Sequence, residues 1–213
     1  MNTNDLISML AANVEPVDSR HGSRRHAIAL TMGLAGAAAI MVPWLGVRAQ
    51  LAADAQLPMF WGKFGFVALL LVAGVFAAAR LARPGASLAW APAGIIAPLF
   101  AMWIAAAVDL LQAAPGERAR LLLGSSWFAC PFIIAVLAMP AFVAVFWAMR
   151  GLAPTRLRLA GAAAGLVAGA SGALVYTFYC PELAAPFLGV WYVLGMLIPT
   201  TFGALLGPRL LRW

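Results

Sequence analysis

Six apolar stretches, each close to twenty residues long, account for most of this sequence. A transmembrane helix needs about 20 mostly apolar residues, so each stretch is long enough to cross the hydrocarbon core of a bilayer. The chain is 64% hydrophobic and only 10% charged, a balance that soluble domains of this size do not have. We therefore predict an all-α, polytopic membrane protein with spans near 27–47, 61–79, 88–108, 130–149, 159–179 and 187–206.

The basic residues are unevenly distributed between the ends of these spans. With six crossings, ten arginines fall on the side of the two termini, and Arg48, Lys63, Arg118 and Arg120 fall on the other side. The positive-inside rule then predicts that both termini are cytoplasmic. It also accounts for the net charge of +7, so we do not expect direct binding to nucleic acid. Because Lys63 lies near the start of its span, we expect its ammonium group to snorkel to the opposite interface.

Two cysteines, Cys130 and Cys180, are each followed by a proline. Twenty uncharged residues, beginning with Cys130 itself, precede Arg150, and 21 uncharged residues lie between Arg158 and Cys180. If both arginines are cytoplasmic, the two thiols lie at similar depth near the opposite face. The short connection over 150–158 predicts that these two spans pack as an antiparallel hairpin, which lets the thiols approach one another.

Two interpretations of this cysteine pair stay open. Two soft ligands at one depth can bind a thiophilic heavy-metal ion, or they can form a disulfide under oxidation. Alternatively, they are two small apolar residues at helix ends with a structural role only. The histidines His21 and His26 lie on the cytoplasmic flank, too far away to complete a metal site. We expect no resident cofactor, only a transient heavy-metal ion at Cys130 and Cys180.

The sequence carries few signs of catalysis or ion transport. A Gly-rich phosphate loop and a Ser/His/Asp set are both missing, and we expect no enzymatic activity. No ionisable residue can be placed deep within a span, whereas ion-coupled transporters usually carry such residues along their pathway. A small six-helix transporter or permease for a neutral solute, with structural cysteines, remains the alternative function.

The polar arm over 1–26 precedes the membrane domain over 27–213, and it contains a short apolar pattern at helical spacing: Leu6, Ile7, Leu10 and Val14. Thr3 or Asn4 is suited to cap such a helix, Asp5 in its first turn favours it, and Pro16 ends the pattern. An isolated helix of this length is marginal in water, so it would be frayed until it meets a partner. A disordered tail with a chance apolar stripe is the other interpretation.

The fifth span contains a repeated small residue at every fourth position: Gly161, Gly165 and Gly169. Such a face lets another helix approach closely, but the pattern does not specify which helix, and it leaves open whether copies of the chain associate. The face also offers a surface along which helices could shift. Pro131, Pro140 and Pro199 predict kinks within the later spans.

Several segments resemble one protein family. They are Asn4-Asp5-Leu6-Ile7, Trp127-Phe128-Ala129-Cys130-Pro131, Arg150-Gly151-Leu152-Ala153-Pro154-Thr155, Tyr179-Cys180-Pro181-Glu182, Ala185-Pro186-Phe187 with Trp191-Tyr192, and Gly207-Pro208-Arg209-Leu210. In these the chain is similar to the NrsF family (negative regulator of sigma F), six-pass anti-sigma factors of the bacterial inner membrane. The likeness covers nearly the whole chain and is more specific in its second half.

The resemblance implies a partner and a signal that the spacing of residues does not give. It implies that the cytoplasmic arm, through Asp5, Leu6, Ile7 and Leu10, holds an extracytoplasmic-function sigma factor. It further implies that Cys130 and Cys180 form a periplasm-facing sensor of heavy metal or oxidant. The expected partners are thus a sigma factor and the lipid bilayer, in the inner membrane.

Overall fold

The computed structural model describes residues 2–12, 21–83, 85–152 and 154–212. Within these ranges every regular element is helical, which confirms the all-α prediction. The elements are α1 (Thr3–Ala12), α2 (His21–Trp44), α3 (Leu51–Asp54), α4 (Pro58–Leu81), α5 (Ala91–Gln112), α6 (Pro115–Leu123), α7 (Ala129–Arg150), α8 (Leu157–Tyr176), α9 (Ala185–Phe187) and α10 (Val193–Leu210). A π-helical turn, Leu188–Tyr192, joins α9 to α10.

In the part of the chain that the structure describes, six helices are long and apolar enough to cross a membrane, as predicted. They are α2, α4, α5, α7, α8 and the composite last span Ala185–Leu210. The predicted boundaries hold to within about half a dozen residues. The long connection after α5 contains the separate helix α6, which does not extend α7, because Gly124 ends it with a φ of +55°.

The beginning of α2 and the end of α10 lie at the same end of the bundle. A Cβ on Gly22 of α2 would lie 3.6 Å from Leu152, in the connection between α7 and α8. Gly207 of α10 packs against Leu157, the first residue of α8. We call this the terminal end, and the opposite end, which carries Cys130 and Cys180, the thiol end. The membrane face to which each end belongs stays a prediction.

Helix α8 is the most deeply buried span and has α4, α7 and α10 around it. The predicted glycine face is directed at α10: a Cβ on Gly165 would lie 2.7 Å from Thr200 Cα, and one on Gly161 would lie 2.8 Å from Gly207 Cα. The small residues therefore serve backbone-to-backbone packing within the chain. This identifies the partner helix that the sequence pattern left open.

The three prolines that predicted kinks have different positions. Pro140 and Pro199 do lie inside α7 and α10. Pro131 instead lies in the first turn of α7, where the missing N–H breaks no helical hydrogen bond, so no kink is required there.

Replacing Gly165 with alanine is expected to destabilise the protein by about 1–3 kcal/mol, because the new methyl group has no space against α10. The matched control is Gly65→Ala in α4, where nothing lies within 4 Å of the added Cβ. That control is expected to be neutral or stabilising by up to about 1 kcal/mol through helix propensity. Thermal unfolding of both variants in detergent measures the difference. Equal midpoints would contradict the packing described for α8 and α10.

Candidate functional site at the thiol end

The structure brings the two cysteines together at one end of the bundle. Cys130 lies in the first turn of α7, and Cys180 lies in the turn between α8 and α9. The backbone N–H of Cys180 donates to the Tyr176 carbonyl at 2.9 Å, which keeps this turn attached to the end of α8. Both residues are fully buried free thiols, and both belong to the same cluster of buried residues. The two thiols therefore lie at the same end of the bundle, whereas their depth in the membrane and a sensing role stay predictions.

Lys63, the chain's only lysine, belongs to this site and does not reach an interface. Its side chain is fully buried, and its Nζ donates to the carbonyl oxygens of Cys180 at 2.9 Å and Glu182 at 3.0 Å. The ammonium group also lies 4.9 Å from the centre of the Tyr192 ring. The expectation that Lys63 snorkels was wrong, because two carbonyls and an aromatic face replace water around the cation.

Arg48 reaches the same turn from the end of α2. Its Nη1 donates to the Cys180 carbonyl at 3.2 Å, and its backbone N–H donates to the Phe178 carbonyl at 3.3 Å. Its Nη2 forms an ion pair with Asp54 at 2.6 Å, with both side chains mostly buried. The Cys180 carbonyl thus accepts hydrogen bonds from two cations, Lys63 of α4 and Arg48 of the connection that follows α2.

Two buried tyrosines complete the surroundings of the thiols. Tyr176 ends α8 and Tyr192 ends the π-helical turn, and their ring centroids are 5.8 Å apart. Both hydroxyl groups lie near the Cys180 thiol, but neither makes a hydrogen bond of good geometry with any described group. π-Helical turns are often found at functional sites. We refer to Cys130, Cys180, Lys63, Tyr176 and Tyr192 as the thiol site.

A second connection ties the Cys180 turn to the segment before α7. The Glu182 carboxylate accepts hydrogen bonds from the backbone N–H of Ser125 at 2.7 Å and from its hydroxyl at 2.6 Å. The carboxylate also lies directly beside Gly124, where a Cβ would be 2.7 Å from Glu182 Cδ. The turn that carries Cys180 is therefore held from α2, from α4 and from the α6–α7 connection.

The donor set limits the ions that this site can bind. In the part of the chain that the structure describes, no group of three or more His, Cys, Asp or Glu side chains could hold a metal ion. Two sulfurs fall short of the four ligands of a structural zinc site. They suit a soft ion with low coordination number, or each other as a disulfide.

Sequence reasoning missed most of the thiol site around the cysteines. Tyr192 and Glu182 occur in segments that carry the family resemblance, but nothing in the pattern gave them a role. The signal for Lys63 was present, because it is a single charge placed inside an apolar run. Arg48 and Tyr176 had no comparable signal.

The arm residues form a separate element. Helix α1 begins at Thr3, so the residue before the helix is Asn2 and not the expected Thr3 or Asn4. The backbone N–H of Asn2 donates to the Asp5 carboxylate at 3.4 Å, as in one half of a capping box. Leu6 and Ile7 are 42% and 59% exposed. Leu10 lies in the same helix, but its side chain is outside the described part of the structure. Val14 and Pro16 also lie outside it.

Comparison with known proteins identifies the family. A family model described as "Negative regulator of sigma F", NrsF, matches residues 10–213. The chain belongs to the NrsF family. A relative from Azospira oryzae, "Probable anti-sigma-F factor NrsF", is 51% identical over 213 residues and the full length of both chains. The "Anti-sigma-F factor NrsF" of Caulobacter vibrioides is 39% identical over 223 residues, again at full length. No solved structure matches the chain.

The range of the NrsF match divides the candidate residues into two groups. Cys130 and Cys180 lie well inside it, together with every other member of the thiol site. Asp5, Leu6 and Ile7 precede its first residue, although both full-length relatives align across this region. Family membership indicates a regulatory class of protein.

Proposed function

We propose that this chain is an anti-sigma factor of the inner membrane that holds an extracytoplasmic-function sigma factor at its cytoplasmic arm. It releases the sigma factor when the thiol pair reacts with a heavy-metal ion or an oxidant. Membership of the NrsF family supports the regulatory role. The observation that supports the sensing part is that two buried free thiols, one in α7 and one in the turn after α8, lie at the end of the bundle opposite the start of α2.

Two reactions of the thiol pair are compatible with this site. A thiophilic metal ion displaces one proton from each thiol and forms two metal–sulfur bonds. An oxidant instead takes two electrons, both thiols lose their protons, and a sulfur–sulfur bond forms. A disulfide requires Cα atoms within about 7 Å, and either product draws the start of α7 and the Cys180 turn together.

The arm is the proposed binding element for the sigma factor. Its helix presents Leu6 and Ile7 to solvent, where they are accessible to a partner. An amphipathic helix of this kind binds by placing its apolar residues in a groove. Ordering the arm on binding costs free energy, so the affinity is moderate and release is readily reversed.

Capture of the sigma factor tests the proposal. The full-length chain, solubilised from a host that expresses a candidate sigma factor, is expected to retain that factor on an affinity column. Treatment with mercuric chloride is expected to elute it, while untreated complex stays bound. A chain that retains no sigma factor but supports uptake of a neutral solute would favour the permease alternative.

The membrane orientation is a separate prediction, and it rests on the ten-to-four distribution of basic residues. Reporter domains fused at position 19 and after Trp213 are expected to be active in the cytoplasm. A reporter inserted at Ala114, between α5 and α6, is expected to be active only in the periplasm. A periplasmic signal at either terminus would contradict the orientation and the role of the arm.

A further inference from the structure

Helix α2 has contacts with the thiol end and also leads to the arm. Beyond its last residue, Trp44, the chain still bonds back to the helix, because the N–H of Leu45 donates to the Met41 carbonyl at 2.8 Å. Arg48 lies three residues further on, after Gly46 with its φ of +78°, and bonds to the Cys180 turn through both its side chain and its backbone. At the other end, α2 begins at His21, within the arm over 1–26.

The same helix packs along α7, which carries Cys130. A Cβ on Gly33 would lie 2.6 Å from the Ala141 Cβ, and one on Gly36 would lie 2.7 Å from the Pro140 Cβ, so the two backbones are in close contact. Near the terminal end, Arg25 donates to the Trp147 carbonyl at 3.1 Å and lies 4.8 Å from the centre of that ring. Helix α2 is therefore in contact with α7, and the segment that follows it is bonded to the Cys180 turn.

Helix α8 also connects the two ends of the bundle, but it is less free to move than α2. Its glycine face is in backbone contact with α10, and most of its surface is buried between neighbouring helices. A shift along this face would have to move α10 as well. By contrast, α2 is one of the least buried spans, and most of its surface is outside the protein core. Movement of α2 must shift its contact with α7, but it disturbs fewer packed side chains than movement of α8.

We infer that α2 carries the state of the thiol pair to the arm, and that Arg48 is the positioning residue that ties the Cys180 turn to α2. The inference rests on the proposed function and extends it. A reaction that draws Cys180 towards Cys130 moves the Cys180 carbonyl, and the guanidinium group bonded to it moves α2. Packed interfaces respond to such small shifts by changing between discrete arrangements.

The test separates reaction at the thiols from release of the sigma factor. Full-length Arg48→Met chain in membranes, with sigma factor bound, is treated with mercuric chloride. Free thiols are counted by a maleimide gel shift, and released sigma factor is measured in the same samples. Thiol loss is expected to match that of the wild type, while release falls at least about fivefold, the lower end of typical coupling between sites.

Two matched controls isolate the contact with Cys180. Asp54→Asn removes the ion pair of Arg48 but keeps its bond to the Cys180 carbonyl, so normal release is expected. Arg118→Met makes the same change of charge at an exposed position on α6, with release again unchanged. A second variant, Arg25→Lys, weakens the contact of α2 with Trp147 and is expected to lower release even if Arg48→Met fails to accumulate.

Normal release by Arg48→Met or by Arg25→Lys would overturn the inference alone. Loss of thiol reaction together with release in Arg48→Met would also overturn it, because Arg48 would then shape the thiol site instead of connecting it to α2. Wild-type chain whose thiols react without any release would overturn the proposed function, and the inference with it.

Discussion

A chain in which Cys130 and Cys180 are both replaced by serine is expected to keep its sigma factor bound under metal or oxidant stress that releases it from the wild type. Shifting a two-state equilibrium from 1:99 to 99:1 requires about 5.5 kcal/mol of differential binding free energy. Complete structural zinc sites supply about 10–16 kcal/mol, so a two-sulfur site can provide that amount. Serine has neither the affinity for soft ions nor the redox chemistry, so the whole of this contribution is lost. Transcription from a sigma-dependent promoter measures the effect.

The serine variants must be compared with variants that keep the site intact. Each single variant is expected to remain in the membrane, to repress without stress, and to fail to respond. Both cysteines are fully buried, so a double alanine variant is a second test of the same loss that adds no buried hydroxyl group. Tyr179→Phe is a suitable control, because it changes a partly buried residue directly before Cys180 and leaves both thiols in place. Normal induction in the double serine variant would return both cysteines to a structural role.

The position of both thiols at one end of the bundle could be predicted from sequence because it depends on a single length. A helix rises by about 1.5 Å per residue, and the uncharged runs ending at Arg150 and beginning after Arg158 have nearly the same length. The glycine spacing on α8 likewise predicted a face for close packing, since it is a local property of one helix. Its partner α10 could not be predicted, because the choice of neighbour depends on the packing of all six spans.

The contacts of the cations Lys63 and Arg48 could not be predicted, because their partners are distant in sequence. Lys63 was expected at an interface on the assumption that water is the nearest polar partner for a charge near the end of a span. Its actual partners are backbone carbonyls of Cys180 and Glu182, 117 and 119 residues further along the chain. Arg48 depends on the same turn, 132 residues away. Every residue has a backbone carbonyl, so these acceptors leave no signal in the sequence, whereas the two cysteines can be read from it directly.

The arm differs from the thiol site, because its helix depends on local contacts and its binding role depends on contacts with a partner. Residues 3–12 form a helix whose register and first-turn carboxylate follow from the sequence. Its preceding residue, Asn2, takes the cap position that was expected at Thr3 or Asn4, because Asp5 is then three residues along and reaches back to the Asn2 N–H. The groove that would cover Leu6 and Ile7 belongs to the sigma factor, so the sequence of this chain does not specify it.

Replacing Leu6 with glutamate is expected to release the sigma factor without any stress. Leu6 is 42% exposed, and glutamate has nearly the helix propensity of leucine, so α1 itself is expected to persist. A carboxylate forced into an apolar groove has no partner there, and binding is expected to weaken by at least about 2 kcal/mol, or about thirtyfold. Leu10→Glu is expected to act in the same way, because position 10 follows position 6 by one helical turn.

The matched control is Ser8→Glu, which adds the same charge at an exposed position on the opposite side of α1 and is expected to leave binding intact. Binding is measured by retention of the sigma factor on the solubilised full-length chain, with promoter activity as the cellular counterpart. If Leu6→Glu and Leu10→Glu both repress normally, the sigma factor binds elsewhere on the cytoplasmic surface and the arm has no part in holding it.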